Sequence, residues 1–430
     1  MTIRGKKYLF TLPLFYAGLI FHAFSCRPAT PSVTRQNFSQ QYRPEERILR
    51  PRFAVYNVTD SMARLYFTIN SKDLLYTKGG GEGRYMARIL LSYTLHPVDF
   101  PKVIVDSGRV VMNDVDLQET KKQLASSVDM DVIIPGKYFV EVTFRDLNKA
   151  SIAYALVHLD HRAGDVGHNF LATHKGTDIP LFQTYLDSGQ AFNIHFYKSS
   201  VTKIHVRYFQ NRSGPAAPPY APEKPPAQPL VPDSAWTLDI SANPDVVLPE
   251  EGWYLFTTDP ASPRGFCLAR FYRNFPEITV ASQLLFPLRY MTMKTEYIAM
   301  DTAANVKRTV DQFWLKNTGS EERARELIRN FYNRVGAANT LFSTEKEGWK
   351  TDRGMIYLIF GPPGNVYRRA TTETWIYSND IGGGGITFIF DHNDKAPTDQ
   401  EYVLERSMTY DGNWIHAVDA WRQGHVYTLR

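Results

Sequence analysis

The sequence is poor in cysteine, in net charge and in basic clusters. Its 430 residues include only two cysteines, Cys26 and Cys267, which excludes a disulfide scaffold. The 49 lysines and arginines outnumber the 44 aspartates and glutamates by a formal charge of only +5, and they form no long run, so no nucleic-acid partner is expected. Hydrophobic residues make up 43% and charged residues 22% of the chain, which is ordinary for globular protein. At roughly 150 residues each, about three domains are expected.

Familiar catalytic and cofactor motifs are missing too. No Gly-x-Ser-x-Gly nucleophile motif occurs, and Gly361–Gly364 lacks the Gly-Lys-Ser/Thr of a phosphate loop. One segment has metal-ligand residue types, at His158, Asp160, His161, His168 and His174. On a strand, His158 and Asp160 share one face while His161 points away, so exposed histidines are favoured over the alternative of a zinc site. The sequence therefore predicts no catalytic residues, no metal and no cofactor.

The first 26 residues have the features of a secretory signal. Three cations precede an almost entirely apolar run, Tyr8–Phe24, and Ser25 stands directly before Cys26. A small residue followed by cysteine resembles the lipobox of bacterial lipoproteins, with Ala23 in place of the usual leucine. The resemblance implies removal of residues 1–25, lipidation of Cys26 and a location on the periplasmic face of an outer membrane. An uncleaved signal anchor and ordinary secretion are the alternatives.

Two segments show no hydrophobic periodicity. Residues 26–50 are rich in proline, threonine, glutamine, serine and arginine, which predicts a flexible tether. Residues 213–233 hold eight prolines, which exclude the interior of a sheet. An exposed loop inside a β-domain is the simplest interpretation of the proline-rich segment, and a ligand for a partner's aromatic groove is the alternative.

The middle of the chain alternates apolar and polar residues with the period of a β-strand. In Leu65–Ile69, for example, every second residue is apolar and suited to one buried face. Several such runs separated by turns predict an antiparallel β-sandwich over residues 51–163 and a second one over residues 164–295. A Gly-x-Tyr phrase begins at Gly136 and recurs at Gly252, which indicates two related, immunoglobulin-like domains.

Residues 296–430 show the pattern of an α+β domain. Apolar residues recur at three- and four-residue steps between Ser320 and Ser343, which predicts an amphipathic helix with Ser320 as its N-cap. Strands are predicted after it, over Met355–Phe360, Thr374–Tyr377 and Ile386–Phe390. The fold class is therefore expected to be mainly β, with two antiparallel β-sandwich domains followed by a helix-plus-sheet domain.

Several short motifs follow one another in this last domain. They comprise Gly348, Trp349, Thr351, Asp352, Arg353, Tyr357, Gly361, Pro362, Pro363, Glu373, Trp375 and Tyr377. Together with Phe313-Trp314 and the amphipathic helix, they resemble the GWxTD domain over roughly residues 300–405. That family occurs in bacterial envelope proteins, often behind a signal and β-sandwich domains, and has no established activity. The resemblance implies an envelope protein without explaining what it does.

Three roles are open for the motif residues. In a structural role, Asp352 accepts backbone N–H groups and Arg353 pairs with an acid such as Glu373. In a binding role, a peptide or glycan lies in an aromatic groove formed by Trp349, Tyr357, Trp375 and Tyr377. In a catalytic role, Asp352 and Glu373 divide the acid and base work between them.

The expected function is that of a membrane-anchored envelope lipoprotein, held at Cys26, that acts as a scaffold or binding module. Its partner would be another envelope protein or a cell-wall component. The alternative is a hydrolase or another enzyme that acts on an envelope polymer. An enzyme requires acids with shifted pKa values in a concave pocket, whereas a binding module requires an exposed aromatic or apolar surface.

Overall fold

Two β-sandwiches and a mixed helix-and-sheet domain make up the structure, a computed structural model that describes residues 33–43, 49–79, 84–116, 121–222, 231–378 and 385–427. The expected fold class, mainly β with a C-terminal α+β domain, is confirmed. The signal segment and Cys26 lie outside the described residues. Within those ranges, no helix combines the length and the apolar character needed to cross a membrane.

The first sandwich packs a three-stranded sheet on a five-stranded sheet. Its strands are β1 (Arg52–Thr59), β2 (Met62–Asn70), β3 (Thr77–Lys78), β4 (Tyr85–Pro97), β5 (Asp106–Asp116), β6 (Gln123–Asp131), β7 (Lys137–Asp146) and β8 (Ser151–Asp160). β2 lies between β1 and β6, and β4 lies between β5 and β7. Leu65, Phe67 and Ile69 are fully buried between the sheets, as the period-two pattern predicts.

The second sandwich also consists of a three-stranded and a five-stranded sheet. Its strands are β9 (Phe170–His174), β10 (Tyr185–Leu186), β11 (Ala191–Phe196), β12 (Lys203–Phe209), β13 (Ser234–Asp239), β14 (Val246–Val247), β15 (Gly252–Thr257) and β16 (Phe266–Arg270). The small sheet has the order β14-β11-β9, and the large one has the order β10-β16-β15-β12-β13. Both faces of β15 are buried, because Tyr254 packs into the sandwich core while Trp253 packs into a separate apolar cluster.

The repeated Gly-x-Tyr phrase carries the same local structure in both sandwiches. The hydroxyl of Tyr138 donates to the carbonyl of Ile134, and the hydroxyl of Tyr254 donates to the carbonyl of Glu250, each four residues upstream. A tyrosine hydroxyl that bonds back to the upstream backbone is a feature of immunoglobulin-like sandwiches. The two sandwiches are therefore similar in this detail as well as in architecture.

The C-terminal domain surrounds one antiparallel sheet with helices. Its elements are α1 (Ala281–Leu285), α2 (Lys294–Asp301), α3 (Val306–Thr318), α4 (Glu321–Phe342), α5 (Asp352–Phe360), β17 (Asn365–Arg368), β18 (Thr372–Tyr377), β19 (Ile386–His392), β20 (Tyr402–Leu404) and α6 (Asp411–Arg422). The sheet order follows the chain, from β17 to β20. The predicted amphipathic helix is confirmed as α4, and Ser320 is its N-cap, since its side chain accepts from the N–H of Arg323.

Met355–Phe360 belongs to helix α5, so the predicted strand is wrong. The helix begins after Thr351, whose side chain accepts the N–H of Gly354, and it ends at Gly361, whose φ is +84°. Every side chain from Met355 to Phe360 is buried. A fully buried helix has no polar face, so a short apolar run of this kind has no period that distinguishes helix from strand.

Residues 33–43 are ordered by contacts with the domains, so the predicted tether is wrong for this stretch. They contain two 3-10 turns, Val33–Arg35 and Ser39–Tyr42. The side chains buried in the C-terminal core are those of Val33, Phe38 and Tyr42. The N–H of Phe38 donates to the carbonyl of Val366 in β17 at 2.8 Å. Since the segment is held by residues more than 300 positions away, its own hydrophobic pattern contains no periodic signal.

The first half of the proline-rich segment is not the exposed loop that was predicted. It lies between β12 and β13, but Ala216 is buried in the C-terminal core. The N–H of Ala216 donates to the carbonyl of Lys350 at 2.9 Å, and the N–H of Ser407 donates to the carbonyl of Pro219 at 3.1 Å. The prolines do keep this segment out of a sheet, but its packing partner could not be read from composition.

Candidate functional site

The segment Gly348–Gly354 packs very closely on helix α4. A Cβ atom at Gly348 would lie well under 3.0 Å from the carbonyl oxygen of Ala338, and one at Gly354 would lie equally close to the carbonyl oxygen of Gly348. Thr351 joins the two ends, because its Oγ1 donates to the carbonyl of Gly348 at 2.7 Å and accepts the N–H of Gly354 at 3.0 Å. The two glycines and the threonine therefore set the geometry of this turn.

Trp349 is buried beneath the turn. Its N–H donates to Oδ1 of Asn339 on α4 at 3.3 Å, and its carbonyl accepts the hydroxyl of Tyr290 at 3.1 Å. The Tyr290 and Trp349 rings meet edge to face, with centroids 6.0 Å apart. Trp349 thus connects the turn to α4 and to the segment that follows α1.

Asp352, the first residue of α5, forms an ion pair with Arg406. Its Oδ1 lies 2.5 Å from Nη2 of Arg406, and its Oδ2 accepts the N–H of Leu404 in β20 at 3.0 Å. Arg406 also donates to the carbonyl of Ala217 in the proline-rich segment at 3.2 Å. Asp352 therefore links α5, β20 and the proline-rich segment, and it has no contact with Glu373 among the described interactions.

Glu373 on β18 lies at the centre of a buried charge cluster. Its partners are Tyr42, Arg353, Arg368 and Trp375, and we call these five residues the Glu373 cluster. Oε2 of Glu373 lies 3.0 Å from Nε of Arg368 and 3.4 Å from Nη1 of Arg353. Oε1 accepts Nε1 of Trp375 at 2.5 Å and also accepts the hydroxyl of Tyr42. Both carboxylate oxygens are therefore fully engaged.

Two opposing effects, burial and attraction to the arginines, set the pKa of Glu373. Burial alone would raise the pKa of Glu373, but the guanidiniums of Arg368 and Arg353, with the bonds from Tyr42 and Trp375, together hold that pKa below its usual range. Burial also raises the pKa of the Tyr42 hydroxyl. Glu373 is therefore an anion at neutral pH and a poor proton donor, while Tyr42 stays neutral.

Motif residues also contact the backbone and the ring of Tyr42. The hydroxyl of Tyr357 donates to the carbonyl of Tyr42 at 2.9 Å, and the rings of Tyr42 and Trp375 have centroids 5.0 Å apart. Next in the chain, Arg43 donates to the carbonyl of Pro363 at 3.3 Å. The motif of the C-terminal domain thus forms an intramolecular binding surface for the N-terminal segment, residues 33–43.

The end of α5 is closed by Gly361, Tyr377 and a buried arginine. The hydroxyl of Tyr377 donates to the carbonyl of Gly361 at 2.8 Å. Arg334 on α4 donates to the carbonyls of Leu358 and Ile359 at 3.2 Å each. These bonds satisfy two carbonyl groups that have no partner within the last turn of α5. Burial lowers the pKa of Arg334 to about 10. Pro362 and Pro363 then direct the chain into β17.

The hypothesis of an aromatic groove at the motif is wrong. The four side chains assigned to it are each at most 3% exposed: Trp349, Tyr357, Trp375 and Tyr377. They contact Tyr42, α4 and one another, so no ligand can reach their faces. The expected ion pair between Arg353 and Glu373 is present, and so is a backbone N–H bond to Asp352.

Of the four histidines between residues 158 and 174, three are used in internal contacts, so the prediction of exposed side chains is wrong for these three. His158 on β8 stacks on His392 with ring centroids 4.7 Å apart and bonds the hydroxyl of Tyr402 at 2.9 Å. His161 is buried, and its Nδ1 lies 2.6 Å from Oδ1 of Asn57. Nδ1 of His168 accepts the N–H of Asp160. Across the described ranges, no group of three or more ligating side chains is arranged to hold a metal ion.

A cavity of about 950 Å³ opens where the three domains and the N-terminal segment meet. Its walls include parts of β1, β8, β9 and β16, the end of α4, and the side chains of Arg52, Phe182, Arg353 and Arg368. In the described sheets β1, β8 and β9 are edge strands. Arg52 lies 5.9 Å from the centre of the Phe182 ring. The cavity thus combines edge-strand backbone, apolar surface and cationic side chains.

Sequence reasoning missed Tyr42, Arg368 and Arg406 as members of this site. Arg368 stands directly opposite Glu373 in the β17–β18 hairpin, so the hairpin register could have revealed it. Tyr42 and Arg406 reach the site from distant parts of the chain, and nothing in their local sequence indicates that.

The fold and the buried motif define a multidomain protein of two β-sandwiches that support a C-terminal α+β domain. The family model of the GWxTD domain matches residues 252–423, so this part of the chain is a GWxTD domain. The match begins with β15, earlier than residue 296, where the α+β pattern begins. β15 lies in the large sheet of the second sandwich, so the matched residues include part of that sandwich as well as the α+β domain. No curated protein matches the chain.

Proposed function

We propose that this protein is a lipoprotein of the bacterial envelope, anchored through Cys26 to the outer membrane and facing the periplasm, that binds another envelope component. It acts as a rigid scaffold, and its partner docks in the cavity between the three domains. The observation that carries the proposal is the cavity itself, since the aromatic side chains of the motif, which the sequence assigned to a binding groove, are buried. A volume of about 950 Å³ is at the upper end of the range typical of ligand pockets.

The walls of the cavity favour an extended peptide segment of another envelope protein. Edge strands carry backbone N–H and C=O groups on their free side, and an extended peptide pairs with such groups by adding a strand. β1 and β8 bring two such edges to one space, whereas the outer edge of β9 is already bonded at Ala172 and His174 to Leu181 and Ile179. Phe182 and Arg52 add apolar and cationic contacts for side chains of the partner.

The buried motif supports the scaffold rather than the contact itself. The Glu373 cluster ties the N-terminal segment to the C-terminal domain, and the pair of Asp352 with Arg406 ties the proline-rich segment to it. His158 on β8 joins the first sandwich to Tyr402 on β20. These contacts hold the cavity walls in one arrangement, which lowers the entropic cost of binding a partner.

Site-specific photo-crosslinking in intact cells tests the proposal. A photo-reactive amino acid replaces Phe182 in the cavity wall or, in a separate variant, Ile415 on the exposed side of α6. We expect one discrete partner to be crosslinked from position 182 and not from position 415. Equal patterns from both positions would remove the support for a cavity ligand.

A matched pair of substitutions on α4 serves as the control. Thr340→Trp places bulk at an exposed position of the cavity wall, whereas Arg329→Trp places the same bulk on the same helix away from the cavity. The crosslink from position 182 should disappear with the first and persist with the second. A crosslink that ignores Thr340→Trp contradicts docking in the cavity.

The alternative of an enzyme acting on an envelope polymer receives less support from the charges. The two carboxylates considered for acid and base work are paired with different arginines, Asp352 with Arg406 and Glu373 with Arg353 and Arg368. The pKa of Glu373 is lowered, whereas a general acid needs a raised one. Release of soluble fragments from purified envelope polymer by the wild-type chain would revive this alternative.

A further inference from the structure

Six exposed apolar side chains form a patch at one end of the first sandwich. They lie in the loop between β4 and β5 and in the loop between β6 and β7. We call them the apolar end patch: Phe100, Val103, Ile104, Val105, Ile133 and Ile134. The relative exposures of Phe100, Ile133 and Ile134 are 67%, 81% and 69%. Contiguous apolar surface of this kind marks an interaction site.

Hydrogen bonds bring the two loops to the same end of the sheet. The first loop follows β4 and the second precedes β7, and these strands pair there with Pro97 opposite Tyr138. The N–H of Val98 donates to the carbonyl of Lys137 at 2.9 Å. The hydroxyl of Tyr138 donates to the carbonyl of Ile134 at 2.5 Å, which fixes the second loop beside the first.

The length of chain between Cys26 and the described body indicates what covers the patch. The N–H of Val33 donates to the carboxylate of Glu141 on β7 at 2.9 Å. Glu141 lies four residues from Lys137 along β7, so Val33 sits about 13 Å from the end that carries the patch. The seven residue steps from Cys26 to Val33 span at most about 25 Å. This length is enough for the patch end of the sandwich to reach a bilayer that holds a lipidated Cys26, and the exposed apolar loops rather than the tether select that end.

We propose that the apolar end patch inserts into the surface of the bilayer that holds Cys26. The inference rests on the lipid anchor of the proposed function, and it adds a second, non-covalent membrane contact. Exposed Asp99 and Lys102 in the same loop offset each other in charge, so the contact depends on apolar burial rather than on anionic lipid. Two contacts fix the orientation of the domain on the membrane, which one flexible lipid cannot do.

The test uses the full-length, lipid-modified protein in vesicles of zwitterionic phosphatidylcholine. Ile133→Cys in the patch and Leu147→Cys at the opposite end of β7 each introduce one exposed thiol, while Cys267 is buried and stays unlabelled. Each thiol carries a polarity-sensitive fluorophore, and nitroxide-labelled lipids serve as quenchers. We expect a blue-shifted and quenched fluorophore at position 133 and a water-exposed, unquenched one at position 147.

The outcomes separate the patch from the anchor. Flotation of the protein with the vesicles reports the anchor, and quenching reports the patch. If the protein floats while both fluorophores stay unquenched, the inserted patch is wrong and the anchor stands. If the fluorophore at position 133 is shielded but not quenched by lipid, the patch is covered by protein, which also overturns the proposal. If the protein neither floats nor shows quenching, both proposals fail.

Discussion

At the scale of single residues, the motif of the GWxTD domain is explained by close packing and buried charge. Gly348 and Gly354 leave no room for a side chain, and Glu373 forms ion pairs with two guanidiniums inside the domain. The pairing of Arg353 with Glu373 could be expected from the sequence, because a charge buried in an apolar region is costly unless it is paired with an opposite charge. The role of Tyr42 could not, because it depends on a contact across 331 residues of chain.

Removing the charge of Glu373 should destabilise the protein severely. Glu373→Gln leaves Arg353 and Arg368 without their counter-charge in a buried site, which we expect to cost about 3–5 kcal/mol of unfolding free energy. The matched control is Asp129→Asn, which removes the partner of Arg64 on the surface and should cost at most about 1 kcal/mol. The side chain of Glu373 is 1% exposed and that of Asp129 is 46% exposed. Urea unfolding of both variants measures the difference, and equal losses would contradict the assignment.

Gly354→Ala should disturb the turn that the motif forms. The added methyl group would overlap the carbonyl oxygen of Gly348, which is backbone and cannot rotate away, so we expect a loss of about 2–3 kcal/mol or more. Gly412→Ala is the control, because it lies in helix α6 and its Cβ would meet nothing within 4 Å. That change should be neutral or stabilise the protein by up to about 1 kcal/mol. Thermal unfolding that moves both variants in the same direction would argue against this packing.

At the scale of elements, the sequence correctly predicted the helices and strands that have one buried face and one more exposed face. The sandwich strands and helix α4 each have one buried face, so their periodicity was visible. Helix α5 has no exposed face, and residues 33–43 have no regular face at all. Both were therefore misread, one as a strand and the other as a tether, because their structure depends on partners elsewhere in the chain.

The contact of β8 with β19 and β20 should weaken in acid. Burial, helped by the nearby His392 and Arg368, lowers the pKa of His158 to about 3. Below the unfolded pKa of about 6.5, the unfolded chain takes up a proton that the folded chain refuses, so stability falls from about pH 6.5 toward pH 3. Between pH 7 and pH 5 this amounts to about 2 kcal/mol.

The comparison of wild type with His158→Gln isolates this effect. A glutamine amide can still bond the hydroxyl of Tyr402 but does not titrate, so the variant should lose about 2 kcal/mol less than the wild type between pH 7 and pH 5. His174→Gln changes an exposed histidine and should leave the pH dependence as it is. Urea unfolding at the two pH values measures both, and an identical pH dependence of wild type and His158→Gln would rule out this histidine as the cause.

At the scale of the whole molecule, the GWxTD domain is the part to which the two sandwiches, residues 33–43 and the described part of the proline-rich segment are joined. The N-terminal segment reaches it through Tyr42, the proline-rich segment through Ala216, and the first sandwich through His158. The second sandwich reaches it through Asn211, whose side-chain amide donates to the carboxylate of Glu347. A deletion of the whole C-terminal domain would therefore expose the cores of its neighbours, so point substitutions are the better tools for locating its partner.

Tyr42→Ala should release the N-terminal segment from the rest of the molecule. The substitution removes a buried aromatic ring and its bonds to Glu373 and Arg368, and we expect it to cost about 3–5 kcal/mol. If this residue fastens the segment, a protease should cut within residues 33–43 in the variant long before it cuts the wild type. Tyr367→Ala, at an exposed position of neighbouring β17, should leave the cleavage pattern unchanged. Mass spectrometry of the first fragments decides the matter: a variant whose first cuts fall elsewhere, or a control that is cut equally fast at residues 33–43, would show that the segment is held by something other than the Glu373 cluster.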